Sequence, residues 1–242
     1  MNCCALIPCR NEAVTIEKLV REVLTQVPRV VVVDDGSTDQ TAPLAAAAGA
    51  TVLRMQKPTG KGAALRTGLN WCWKQGFSHA LIMDGDGQHL PADIPGLLSR
   101  WGQSGSDLII GNRMIRPTAM PWLRRQTNRL MSAVLSAMNH QTWPDTQCGF
   151  RLLRLENSLN GLLRSQRFEI ESEMLVAARA VGWQIEFVPV TCVYQAGATH
   201  IRPISDTLNW LRWLWRSQES VRQSTNTVPD RIPSFEAVPG IQ

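Results

Sequence analysis

The chain has 242 residues, 44% of them apolar and 19% charged, which is globular composition and excludes a wholly disordered or fibrous protein. At about 150 residues per domain this length suits one large α/β domain, and the chain can bury a core without disulfide or metal staples. The net charge of +5 favours an anionic partner (nucleic acid, phosphate ester or acidic lipid) without choosing among them.

The predicted elements alternate along the first half. Residues 3–8 read as a strand, and residues 14–24 carry apolar side chains at 16, 19, 20, 23 and 24, one helix face. Residues 30–33 are a run of four valines, the signature of a buried strand, broken by Asp34-Asp35-Gly36-Ser37. A helix over 38–48, a strand over 51–55 and a helix over 60–73 behind a glycine-rich start follow. A fourth strand over 80–83 ends in Asp84-Gly85-Asp86-Gly87; then come a helix over 91–101 and a fifth strand over 107–110. Strand and helix alternating five times predict a mostly parallel sheet flanked by helices. In such sheets ligands bind beyond the carboxyl ends of the strands, and the acidic clusters fall at those ends.

From Met114 to His140 the pattern changes. Arginines 113, 116, 124, 125 and 129 follow one another without an intervening acid, interleaved with Trp122, Leu123, Leu130, Met131, Val134, Leu135 and Met138. The polar run Asp145-Thr146-Gln147-Cys148-Gly149-Phe150-Arg151 enters a short strand, Phe168-Glu169-Ile170-Glu171 opens another helix, and residues 184–188 read as a strand. The last predicted helix, 206–222, is rich in tryptophan and leucine with a polar stripe. A flexible polar tail is expected over 223–242, after a single domain over 1–222.

Six cysteines, Cys3, Cys4, Cys9, Cys72, Cys148 and Cys192, contain no C-x-x-C pair, so neither a zinc site nor a disulfide framework is expected, and the thiols read as reduced, cytosolic ones. The first residues lack the basic and apolar regions of a signal peptide, and no window offers the roughly 18 consecutive apolar residues of a spanning helix.

Asp84 and Asp86, two residues apart at a strand end with glycines between and after, can approach one hard cation and leave its other positions free. Mg2+ and Mn2+ favour such oxygen sites, completed by substrate phosphates. Gln88 offers a further neutral oxygen. The alternative is an ordinary acidic turn. An EF-hand is excluded because its twelfth position here is Pro95. Asp35 is placed to accept hydrogen bonds from a ribose or base, or to serve only a helix cap. Pro8, Arg10 and Glu12 form a similar polar edge after the first strand, where Asn11 could instead cap a helix. Lys61 sits between Gly60 and Gly62 at a helix start, where an anion is favoured, but the Walker spacing is absent and a P-loop ATPase is rejected.

In this order the segments IPCRNE (7–12), VVDDGSTD (32–39), GKGAAL (60–65), DGDGQH (84–89), GNR (111–113), DTQCGFR (145–151) and FEIE (168–171) resemble family 2 glycosyltransferases of the dolichol-phosphate mannosyl- and glucosyltransferase type. DTQCGFR resembles the glucosyl branch most. The resemblance implies a GT-A fold, a UDP- or GDP-sugar donor, a divalent cation (Mg2+ or Mn2+) and inversion at the anomeric carbon. It implies that Pro8, Arg10, Glu12 and Asp35 hold base and ribose, that Asp84, Asp86 and Gln88 hold metal and diphosphate, and that Arg113 faces phosphate; Gly85 in the same turn and Lys61 at its helix start are counted with the sugar-nucleotide-binding residues. His200 stands where that family carries lysine, and Arg202 is the basic residue nearest to replace it. Asp86 and Arg113 would stabilise the leaving group, and Asp145 is the candidate base if the acceptor is a hydroxyl; an ionised lipid phosphate would need none. The implied partners are the sugar nucleotide, a polyprenyl-type lipid phosphate and the cytosolic membrane surface, touched peripherally by the arginine and tryptophan helices, with no nucleic acid. Another acceptor hydroxyl, a nucleotidyltransferase and a non-catalytic anionic-lipid-binding module are the rival readings.

Overall fold

The computed structural model describes residues 2–115, 120–156, 161–194 and 209–215. Seven strands form one sheet in the order β3-β2-β1-β4-β6-β5-β7. They are β1 (Cys3–Cys9), β2 (Val30–Asp34), β3 (Thr51–Arg54), β4 (His79–Ile82), β5 (Leu108–Asn112), β6 (Arg151–Arg154) and β7 (Ile185–Pro189). The helices are α1 (Ile16–Leu24), α2 (Thr41–Ala47), α3 (Lys61–Lys74), α4 (Ile94–Ser104), α5 (Trp122–Asn139) and α6 (Ile170–Ala180).

The apolar runs fall at the centre. Every residue of β1, β2, β4 and β5 is buried, as expected for strands covered on both faces. In α1 the residues Ile16, Leu19, Val20 and Val23 point inward, matching the helical spacing. The helix expected from residue 91 begins instead as a 3-10 turn, Pro91–Asp93, before α4. Prolines at 91 and 95 lack the N–H that a regular helix would use there.

Two topological facts create the site. The chain runs β1 to β2 to β3 in one direction, then jumps back past β1 to β4. Right-handed crossovers therefore put α1 and α2 on one face and α3 on the other, with a crevice where the direction reverses, between β1 and β4. The second fact is that β6 is antiparallel to both neighbours, β4 and β5, whereas all other pairs are parallel. Because β6 runs backwards, the loop entering it, residues 145–150, lies at the same sheet edge as the loops leaving β1, β2, β4 and β5. A polar loop and four acidic or basic turns thereby share one rim.

Residues 209–215 are helical, inside the predicted last helix. The ends of that helix, Arg202 with its glycine-rich approach, and the predicted tail over 223–242 lie outside the described residues. No helix among the described residues is long and apolar enough to cross a membrane.

Candidate active site

A cleft of about 1160 Å³ opens at this rim, and Pro8, Arg10, Glu12, Asp35, Lys61, Asp84, Gly85, Asp86, Gln88 and Arg113 all line it. Five separate segments of sequence thus meet at one surface, with Asp145 just beneath it.

The first wall comes from the loops after β1 and β2, which are knotted together. Asn11, in the left-handed region at φ 56°, donates its backbone N–H to Ser37 Oγ at 2.9 Å, and its side-chain oxygen accepts from the Thr38 N–H at 2.9 Å. It braces the neighbouring loop rather than capping α1, whose N-cap is Thr15. Asp35 accepts from the Thr59 N–H at 2.7 Å, the Thr59 hydroxyl at 3.0 Å and the Gly60 N–H at 2.8 Å. Its carboxylate therefore fixes the strained approach to α3, where Gly60 has φ 101°, and so sets the position of Lys61.

The turn after β4 forms the floor. A Cβ on Gly85 would stand 2.7 Å from Cys9 Cβ, so only glycine lets this turn lie against the end of β1. A Cβ on Gly149 would meet Asp84 Oδ2 at 2.6 Å, so the loop entering β6 rests directly on the first aspartate. Lys61 Nζ stands 2.5 Å from Asp84 Oδ1 and 2.5 Å from Glu171 Oε1. Gln88 grips Asp86 twice, its backbone N–H on Oδ1 at 3.0 Å and its side-chain amide on Oδ2 at 2.7 Å. Gln88, the expected third oxygen ligand, thus stands directly beside Asp86, with its carbonyl oxygen 3.5 Å from Arg124 Nη1.

Arg113 is the anchored cation. Its Nε and backbone N–H donate to Asp145 Oδ2 at 2.8 and 3.0 Å, and its Nη2 donates to Oδ1 at 2.9 Å. Asn128 from α5 completes the shell at 2.8 Å. Four donors fill the four lone-pair positions of a carboxylate that has no exposed surface. Asp145, the candidate base for a hydroxyl acceptor, is thus placed beneath the cleft with Arg113 as its ion-pair partner. Burial alone would push its carboxyl up, but the Arg113 guanidinium overrides this and holds it below the usual range.

The cleft carries excess negative charge at its floor. Burial and then the nearby Asp84 raise the Asp86 carboxyl, and burial followed by Asp86 and Asp84 pushes Glu12 up to about 7. Burial would raise Asp84 too, yet the Lys61 ammonium keeps it lowered. Such mutual repulsion among carboxylates is what a divalent cation relieves, so Asp84 and Asp86 fit one. Among the described residues no three His, Cys, Asp or Glu side chains converge as a complete cage. Mg2+ and Mn2+ bind through one or two carboxylates and take the remaining ligands from phosphate and water.

Comparison with known proteins decides the class. Residues 4–158 match the family described as Glycosyl transferase family 2. The chain belongs to that family. Among its curated relatives is the glycosyltransferase AglJ of Haloferax volcanii, 34% identical over 208 residues, covering 84% of this chain and 67% of the relative. The polyprenol monophosphomannose synthase of Mycolicibacterium smegmatis is 28% identical over 200 residues, covering 77% of this chain and 75% of that protein. Among solved structures, mannosyl-3-phosphoglycerate synthase from Rubrobacter xylanophilus aligns with TM-score 0.70 at 19% identity, covering 100% of this chain and 85% of that one. The last likeness shows the fold alone. This family 2 enzyme is a transferase with the GT-A fold, and the lipid-binding-module and nucleotidyltransferase readings fall away.

Several cleft residues of this glycosyltransferase had no assigned role from sequence. Glu171 reads as an acid in the first turn of a helix, favourable there without any site. Arg124, Thr127, Asn128 and Met131 on α5, with Trp210, also line the cleft. The arginine-rich pattern pointed to α5 but not to which turn would face inward.

Proposed function

We propose that the protein transfers a hexose, with inversion, from a UDP- or GDP-sugar to a polyprenyl-type lipid phosphate, using Mg2+ or Mn2+ held by Asp84 and Asp86. It would do so as a peripheral protein at the cytoplasmic face of a membrane. The observation that carries this reading is the engagement of Asp145. With that carboxylate engaged by Arg113, an acceptor that arrives already ionised suits the site, and a phosphate monoester is one that needs no base. The relative named for polyprenol monophosphomannose synthesis supports the same acceptor class.

Each side chain then has a physical task. Pro8, Arg10, Glu12 and Asp35 surround base and ribose, with Asp35 also holding the Thr59–Gly60 turn in place. Gly85 keeps the turn small enough for the diphosphate to approach. The cation, when bound, supplies Lewis-acid stabilisation of the departing diphosphate. Arg113 adds a fixed positive charge whose orientation is settled before substrate arrives, so little reorganisation accompanies the reaction. Lys61 supplies a second ammonium on the same side, and Arg124, over the ring of Tyr194 at 5.1 Å, faces the acceptor phosphate.

The test is transfer of labelled hexose from UDP- and GDP-sugars to a short prenyl phosphate with Mn2+, followed by organic extraction. Label is expected in the organic phase with one nucleotide series and lost in Asp86→Ala. Label retained with Asp86→Ala, or transfer only to water-soluble hydroxyl acceptors, overturns the reading.

A further inference from the structure

Both carboxylates assigned to the cation already have side-chain partners. Gln88 holds Asp86, and Lys61 holds Asp84. The second pairing is unusual because Lys61 is shared: its ammonium bridges Asp84 and Glu171, each at 2.5 Å. This is an interior arrangement, with side-chain exposures of 14% for Lys61 and 7% for Glu171. The other oxygen of Glu171, Oε2, is buried without a hydrogen-bond partner among the described residues.

A divalent ion sits about 2.1 Å from a carboxylate oxygen it binds. An ammonium 2.5 Å from Asp84 Oδ1 competes for that carboxylate, and its positive charge repels an arriving cation. We propose that Lys61 is an exchangeable counter-ion that holds Asp84 until a divalent cation arrives, and that Glu171 is the positioning residue that receives its ammonium. This rests on the reading of Asp84 and Asp86 as the cation site and adds the residues that control access to it.

The surroundings confine the exchange to one side chain. The first turn of α3 is tied down by the Gly62 N–H donating to Gln166 O at 2.8 Å, where a Cβ on Gly62 would collide with the 165–166 backbone. The start of α6 is tied down by Arg151, buried and donating from Nη1 to the Glu171 carbonyl at 2.7 Å. Both backbones therefore stay still while the four-carbon stem of Lys61 swings. The move also gives the unpartnered Glu171 oxygen a donor, removing the penalty of a buried unpaired acceptor. A donor diphosphate, anionic and bound beside Asp84, offers the displaced ammonium a further partner. Cation and sugar nucleotide should then bind with strong mutual enhancement.

Mn2+ binding to the full-length protein without nucleotide, measured by calorimetry with thermal melts as a folding control, tests this. Lys61→Gln is expected to bind Mn2+ about tenfold tighter than wild type or more. Glu171→Gln is expected to bind it more weakly. In the double variant the effect of Glu171→Gln should vanish, because Glu171 acts only through Lys61. A Lys61→Gln protein that binds Mn2+ no tighter, or a Glu171→Gln effect that persists undiminished without Lys61, overturns the proposal. Asp86→Ala separates the two layers. If Mn2+ binding in the presence of UDP or GDP is indifferent to that change, the cation site itself is wrong; if it is lost while Lys61→Gln binds no tighter, only the exchange fails.

Discussion

Arg113 and Asp145 make a buried, doubly bonded pair whose value lies in geometry as much as in energy. Both charges have been taken out of water, so removing one partner leaves the other stranded. Asp145→Asn is expected to destabilise the fold by about 3–5 kcal/mol. The pH dependence follows from the lowered carboxyl of Asp145. A carboxylate whose folded pKa is depressed contributes stability above its unfolded pKa and loses it as pH falls through the folded value. The gap between wild type and Asp145→Asn should therefore be full at neutral pH and shrink below about pH 4, as read by urea melts at pH 7 and pH 3. Gly149→Ala probes the other contact on the floor. Its methyl would press on Asp84 at 2.6 Å, so a loss of about 1–3 kcal/mol and a fall in kcat are expected from thermal melts and turnover assays.

At the scale of elements, α5 has two jobs on opposite faces. Its inner face supplies Asn128, Met131, Ser132 and Leu135 to the interior, and Asn128 ties the helix to the Arg113–Asp145 pair. Its outer face leaves Trp122 at 66% and Leu130 at 63% exposure, unusual for side chains that a solitary soluble helix would bury. The helical residues 209–215 add exposed Leu211 and Trp215. Large apolar side chains beside arginines suit a helix lying in a lipid interface. Trp122→Ser with Leu130→Ser should therefore reduce co-flotation with vesicles containing acidic lipid while leaving the melting temperature nearly unchanged. Equal flotation of variant and wild type would count against the membrane-facing role of α5.

For the whole molecule, the reversal of strand order between β1 and β4 and the backward run of β6 bring the loops after β1 and β2, the acidic floor and the arginines to one edge. A ligand spanning all three stabilises the folded state alone, and at a hundred times its Kd it adds about 2.7 kcal/mol. A thermal-shift panel of UDP- and GDP-sugars with Mn2+ is expected to raise the melting temperature for one nucleotide series. Asp86→Ala should cancel the Mn2+-dependent part of that rise and lower turnover by about a hundredfold or more.

Much of this protein was legible without coordinates because its strands announce themselves locally. Four consecutive valines before Asp34, and Ala80–Met83 before Asp84, read as interior strands because they are short and bounded by turn residues, and this reading puts Asp35, Asp84 and Asp86 at a sheet edge. The ordered motifs carried the family as well. Tertiary structure alone decided which charges meet. Nothing in the sequence pairs Arg113 with Asp145, 32 positions away, or brings Glu171 to Lys61, and nothing fixes β6 as the antiparallel strand between β4 and β5. Periodicity reports how a segment is buried, whereas ion pairing and strand order depend on which distant segments become neighbours. That is why the sequence marked Asp145 only as a candidate base for a hydroxyl acceptor, whereas the fold shows which arginine it meets.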